Sequence, residues 1–311
     1  MVYGKSSIAL VLVFLVVSTL GCRIQEPAPN KTSYNRLMRL PLGNVTAQGW
    51  LKAQLERNKA GMGGHLDELE PEMIAKPYIT RNYTDLFNPG WSGEQSGGYW
   101  TGLVQLAFTL NDNELIDKAR TWVYSTIALQ EEDGYLGSYR KTDNRLEDLC
   151  AWAANWGYRA LLHWYDATGD KVVLDAVHNG LLWFVKNWSG DQKTSYVGST
   201  LIESMIVVYM KTGDVRLYNW CIDYIKWLDK NDNFHHGMAS LLRESLEYNE
   251  DHVVAFGENL KHPALIYLAG GQQKYLEATI HGIEQIMTKC WQSTGAPASN
   301  FEYLPSPPLT K

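Results

Sequence analysis

Three stretches of the chain gather carboxylates, imidazoles and indoles among glycines: 88-NPGWSGEQSGGYW-100, 131-EEDGYLGSYR-140 and 231-NDNFHHGM-238. Segments of this composition make tight turns and line pockets. Glu94, inside 93-GEQSGG-98, could accept a hydroxyl hydrogen bond or move a proton. His235 and His236 could bind hydroxyls or a metal, although neighbours on one loop seldom reach the same ion. Trp91 and Trp100 could stack on the flat face of a sugar, or could fill a core instead. Tyr135 could face the same cleft, while Asp133 beside it reads better as a turn residue before Gly134.

The elements that must position these residues read as helices. From Asn44 onward the apolar residues recur at helical spacing, and no strand alternation interrupts them. The spacing predicts helices over Ala47 to Lys59, Tyr99 to Leu110, Glu114 to Leu129, Ala151 to Thr168 and Val172 to Trp188. Further helices are predicted over Ser199 to Lys211, Val215 to Lys230, Met238 to Tyr248, Val253 to Ala269 and Gln273 to Cys290. One motif joins them, 165-YDATGD-170 returning as 209-YMKTGD-214. A glycine just past a helix can take the left-handed conformation that ends it, and the aspartate after it can cap the next helix. Looser forms stand at 107-AFTLND-112 and 267-YLAGGQ-272, so the corner recurs every roughly 45 to 60 residues, the length of a helix pair. Stacked pairs of this size make an open superhelix or a closed ring. The long pocket-like connections favour the ring, an (α/α)6 toroid.

Composition narrows the partners. Of 311 residues, 12 are Trp and 18 Tyr against 7 Phe, which favours rings with a polar edge, as sugar clefts do. The net charge of −6 and the lack of a basic run exclude nucleic acid as a partner. Lys5, the apolar run Ile8 to Val17 and the small residues before Cys22 form an export signal too short to span a bilayer. Cys22 directly after Gly21 resembles a bacterial lipoprotein cleavage site, which implies lipidation there, export to the periplasm or cell surface, and anchoring to the outer or cytoplasmic membrane. The expected layout is a signal over 1–22, a tether over 23–41, the helical domain over 42–304 and an irregular tail over 305–311. Cys150, Cys221 and Cys290 are widely separated and odd in number, so they read as small buried hydrophobes.

Three segments carry a family resemblance: 130-QEEDGYLGSY-139, 165-YDATGDKVVLDA-176 and 252-HVVAFGENLKHPALIYLAGGQQKYLEATIHG-282. Together they resemble the catalytic domain of the bacterial β-L-arabinofuranosidases of glycoside hydrolase family 127. The resemblance implies the toroid, and a hydrolase releasing terminal sugars from plant-type polysaccharides or oligosaccharides. It gives His252 a place in substrate binding. Such a reaction needs a proton donor for the leaving oxygen and an opposing group at the sugar's developing positive centre. In 299-SNFEYL-304, Glu302 falls where the family carries its general acid/base, although Phe301 and Tyr303 differ from the family's Asp and His.

The family's nucleophile is a cysteine bound to zinc, with Cys and Glu ligands downstream of the position of Glu302. The residues through Lys311 hold no counterpart, so no cofactor is identifiable in this chain and the expected ring is incomplete. Two other readings stand beside this one. One is a surface lipoprotein that binds glycans without cleaving them. The other is a metal-independent hydrolase of the unsaturated-uronyl type, working through a carboxylate pair on a similar ring.

Overall fold

The computed structural model describes residues 39–82, 88–188, 198–231, 257–258 and 260–289, all within one unit spanning residues 32–311. Every regular element among them is helical. Three helices lead in: α1 (Gly49–Ala60), α2 (Met62–Leu69) and the single turn α3 (Lys76–Ile79). Four antiparallel hairpins follow: α4 (Pro89–Leu110) with α5 (Asn113–Ile127), α6 (Asp148–Thr168) with α7 (Lys171–Asn187), α8 (Leu201–Thr212) with α9 (Val215–Asn231), and α10 (His262–Gly270) with α11 (Gln273–Lys289). The first helices of the pairs pack in the order α4, α6, α8, α10, and α5, α7 and α9 form the layer outside them. This is the α/α toroid arrangement, built from consecutive inner and outer helices.

The corner motif does what its residue types dictate. Gly169, Gly213 and Gly271 each end a helix at φ values of 70°, 75° and 72°, in the left-handed region that glycine enters without strain. Each donates its N–H to a tyrosine carbonyl four residues back, Tyr165, Tyr209 and Tyr267, at 2.7 Å in all three cases. Asn111 fills the same role at φ 53°. The aspartates carry a second function that spacing alone did not reveal. One oxygen caps the next helix: Leu115 N to Asp112 Oδ1 at 3.0 Å, Val172 N to Asp170 Oδ1 at 3.0 Å and Arg216 N to Asp214 Oδ1 at 3.1 Å. The other oxygen takes a bond from an earlier element: Lys59 Nζ on α1 to Asp112 at 2.6 Å, the Tyr124 hydroxyl on α5 to Asp170, and His178 Nε2 on α7 with Asp214 at 2.8 Å. Each of the three aspartate corners thus fixes both its own turn and its packing against an earlier element. His178, on α7, is therefore part of the framework.

One boundary differs from its expectation. The stretch 88-NPGWSGEQSGGYW-100, read as a pocket loop, is the first half of α4. Asn88 caps it, its side chain accepting from Gly90 N at 2.7 Å, and Pro89 takes the first turn, where a missing N–H costs nothing. Its glycines make a close seam. A methyl group on Gly93 would stand 2.6 Å from the Ala153 methyl, and one on Gly97 2.6 Å from the Gly157 nitrogen. Helix propensity counts these glycines as breakers, but interhelix contact requires them.

Candidate functional site

On α6, Trp152, Trp156, Arg159 and His163 follow one another at spacings of four, three and four, so they share one face of the helix. The guanidinium of Arg159 lies over the Trp156 ring, 4.2 Å from its centre. From there it reaches carboxylates on two other elements. Arg159 Nε donates to Glu203 Oε2, in the first turn of α8, at 2.6 Å, and a terminal nitrogen of the same guanidinium donates to Glu258 Oε2. Lys261 Nζ, just before α10, bonds the same two oxygens at 2.9 and 2.7 Å. Two cations and two carboxylates thus close a four-membered cluster joining three consecutive inner helices.

Electrostatics fixes the charge of Glu203. Burial opposes its anionic form, but Arg159 and then Lys261 outweigh that penalty and hold its carboxyl below the usual range. Every bond in the cluster uses the Oε2 atoms, and Oε1 of Glu203 and Glu258 takes no part in them. Further along the α6 face, His163 Nδ1 accepts from Arg39 at 3.2 Å and Nε2 meets the Gln105 amide at 2.8 Å. Burial, assisted by Arg39, lowers its pKa to about 4, which leaves the imidazole neutral at pH 7.

A second carboxylate cluster holds the connection after α5. Glu131 accepts from Arg145 at 2.6 and 3.1 Å and from Arg81, and both guanidiniums lie over the Tyr135 ring, at 3.6 and 5.2 Å from its centre. Asp133 accepts from Tyr135 N at 3.1 Å and from Trp183 Nε1 at 3.0 Å, with Gly134 at φ 96°. It is the turn residue that the sequence implies. Residues 130–134 also border an open cavity of about 560 Å³ against α7, at the outer layer.

Tyr135 therefore does not face a cleft. It is fully buried beneath Arg145 and edge-on to Trp183, with its hydroxyl accepting from Tyr139 N at 3.2 Å. Trp100 is likewise corrected from a sugar platform to a core residue. It stacks on Trp122 with ring centres 5.0 Å apart, and its indole donates to the Ile74 carbonyl at 3.1 Å, so neither face is available. Trp91 is exposed in the first turn of α4, and Glu94 lies half-buried one turn further on. Cys22, His235, His236, His252 and Glu302 lie outside the described residues. Arg159, Glu203, Glu258 and Lys261 were not singled out from sequence. The signal available was a carboxylate and a cation at matching depths on consecutive inner helices, which becomes visible only once the corners set the register.

A model of the β-L-arabinofuranosidase GH127 catalytic domain matches residues 37–303. The chain belongs to this family. No individual curated protein matches it significantly in sequence. Among solved structures it is similar to a GH127 β-L-arabinofuranosidase from Geobacillus stearothermophilus T6 (TM-score 0.64, 15% identity, 82% of this chain and 47% of that one). It is also similar to a GH127 β-arabinofuranosidase (TM-score 0.60, 16% identity, 82% and 46%) and to a glycoside hydrolase (TM-score 0.60, 14% identity, 82% and 38%). At these identities the likeness is one of fold, and the chain spans less than half the length of the structures it matches.

The zinc-bound cysteine of the GH127 family finds no fitting site among the described residues. No three His, Cys, Asp or Glu side chains there converge to hold a metal ion. Of the described cysteines, burial pushes Cys150 up to about 12 and Cys221 well above its ordinary value, so both are protonated thiols. No step is therefore routed through a metal.

Proposed function

We propose that the protein is a glycoside hydrolase of the β-L-arabinofuranosidase type, which releases terminal sugars from plant-type polysaccharides or oligosaccharides. The observation that carries this reading is the family match across residues 37–303. Glu302 is the proposed general acid, the group that protonates the leaving oxygen. Trp91, Glu94, His235, His236 and His252 are the proposed substrate contacts. Export and lipidation at Cys22 would hold the protein at the membrane, with a tether between anchor and ring. Among the described residues no helix is long and apolar enough to cross a bilayer, so the anchoring proposal rests on that cysteine alone.

The test is turnover of 4-nitrophenyl β-L-arabinofuranoside by the whole chain. Glu302→Gln should lower kcat by about 100-fold or more, as loss of a general acid does. Unchanged turnover in that variant removes Glu302 from the mechanism. Radiolabelled palmitate incorporated by the wild type and not by Cys22→Ala tests the anchor. A second reading, glycan binding without cleavage, draws on the protonated state of Cys150 and Cys221, which leaves no thiolate nucleophile among the described residues. Saturable sugar binding with no turnover by the intact chain would select it.

A further inference from the structure

The inner helices run parallel, so their corners gather at one end of the fold. Gly93 and Gly97 of α4 face Ala153 and Gly157 of α6. Lys211, near the end of α8, lies 5.6 Å from the centre of the Tyr165 ring near the end of α6, and Lys261 before α10 meets Glu203 in the first turn of α8. The chain enters the fold at that same corner end. Arg39 pairs with Asp166 at 3.4 Å, Leu42 N donates to Asp166 Oδ2 at 3.2 Å, and Lys59 closes the lead-in stretch on Asp112 at 2.6 Å. Residues 39–59 are therefore fastened to the corner end at both extremities.

The side chains that this end shows to solvent combine two chemistries. α1 buries no residue, Trp50 on it is 80% exposed, and Leu40 and Val45 before it are more than half exposed. The corners add Val172 and Val215, each more than half exposed in the first turn of its outer helix. Cations stand among them: Lys52 and Arg57 on α1 and Lys171 and Lys211 at the corners are exposed, and Arg39 remains largely so. Most carboxylates here are already engaged. Asp112, Asp170 and Asp214 cap helices, Asp166 takes Arg39 and the Leu42 amide, and Glu114 is held by Lys59 at 3.2 Å, which leaves Glu56 as an exposed acid on α1. Indole and aliphatic tips interleaved with Lys and Arg suit the boundary of an anionic bilayer, where the apolar tips enter the headgroup layer and the cations meet phosphates. Single exposed apolar residues need no explanation, but these flank the path by which the chain arrives from Cys22, the proposed lipid attachment.

We propose that the corner end, with Leu40, Val45, Trp50, Lys171, Val172 and Val215, is a docking face for an anionic phospholipid bilayer. The proposal rests on the anchored reading given above and adds an orientation to it. An anchor alone fixes none, because residues 23–38 could hold the ring up to about 50 Å from the surface. Docking by the corners turns the opposite end of the inner helices, with Trp91 and Glu94 in the first turns of α4, away from the bilayer and toward glycan outside.

The experiment reconstitutes the intact chain with vesicles of phosphatidylglycerol and phosphatidylcholine, their acyl chains either plain or brominated, and reads tryptophan fluorescence. Bromine quenches an indole only at close range, and the share of Trp50 among the 12 tryptophans is the difference from Trp50→Phe. Brominated lipid should quench the vesicle-bound wild type, and Trp50→Phe should remove most of that quenching. Lys171→Glu combined with Val172→Glu probes the face away from the reporter. Both positions lie in the first turn of α7, where a carboxylate suits the helix N-terminus, so the fold is kept. The pair removes an apolar contact and reverses a cation, and should cut the quenching at least about twofold. Vesicle-bound wild type with equal emission in plain and brominated lipid overturns the docking face. So does quenching unchanged by these substitutions, or quenching that Trp91→Phe removes instead, which would turn the opposite end to the bilayer. Palmitate labelling reads the anchor separately: labelled protein without quenching sinks the docking face and leaves the anchor, whereas quenching of protein that takes up no label sinks the anchor and leaves the face.

Discussion

Two clusters in this molecule use the same parts for opposite ends. At the connection after α5, Glu131 meets Arg81 and Arg145 above Tyr135; at the inner helices, Glu203 and Glu258 meet Arg159 and Lys261 above Trp156. In the first, both carboxylate oxygens are consumed: Oε1 takes Arg81 and Arg145, and Oε2 takes Arg145 again and Lys141 at 3.5 Å. The three central side chains are 10–13% exposed. In the second, each carboxylate keeps one oxygen uncommitted. Saturated charge clusters hold a backbone in place, whereas half-committed ones have capacity left for a ligand. The difference lies in the bonds left unmade, since residue types and aromatic floors are alike.

The sharpest way to break this comparison is to neutralise one carboxylate in each cluster. Glu131→Gln leaves two buried guanidiniums without their anion and should cost about 3 kcal/mol of unfolding free energy. Glu203→Gln leaves Glu258 to serve both cations and should cost less than the Glu131 change. Urea denaturation of both variants measures the contrast. Equal losses would mean that the inner-helix cluster is as structural as the loop cluster.

Acid titration sharpens the same contrast. Burial alone would raise the Glu131 pKa, but Arg145 and Arg81 prevail and bring it from 4.5 down to about 2. A carboxyl depressed in the folded state binds its proton more readily when unfolded. Its contribution is thus complete above pH 4.5 and is lost as the pH falls from 4.5 toward 2. The loss should be about 2 kcal/mol over that window, and it should be missing from the profile of Glu131→Gln. A wild-type stability flat across that window would contradict the saturated-cluster account.

What sequence could reveal follows from the range of the forces involved. The corners were readable because their bonds are local: a glycine N–H finds a carbonyl four residues back, and an aspartate oxygen finds an amide two or three residues ahead. Asp133 was readable as a turn for the same reason. The inner-helix cluster was not, since Arg159 and Lys261 are brought together by the register of three helices. The glycines of α4 misled because their chemistry points to a loop, while their role is contact with α6 at distances that no side chain tolerates. Tyr135 and Trp100 misled in the opposite way. A polar-edged ring suits a sugar cleft and a buried core equally, and only their neighbours decide between the two.

The smallest expected effect is the control that the comparison needs. At Gly213 an added methyl group would meet no atom within 4 Å, so Gly213→Ala introduces no clash. Its cost is that of holding alanine at φ 75°, about 1 kcal/mol. The strain sits at the α8–α9 corner, at the opposite end of α8 from Glu203, and touches neither cluster. The variant should therefore melt a few degrees lower while keeping the wild-type acid profile between pH 4.5 and 2. Were Gly213→Ala to flatten that profile, its loss in Glu131→Gln could be no more than a general response to weakened helices. A profile that survives the strained corner and fails only with the carboxylate would place the acid response in the Glu131 cluster itself.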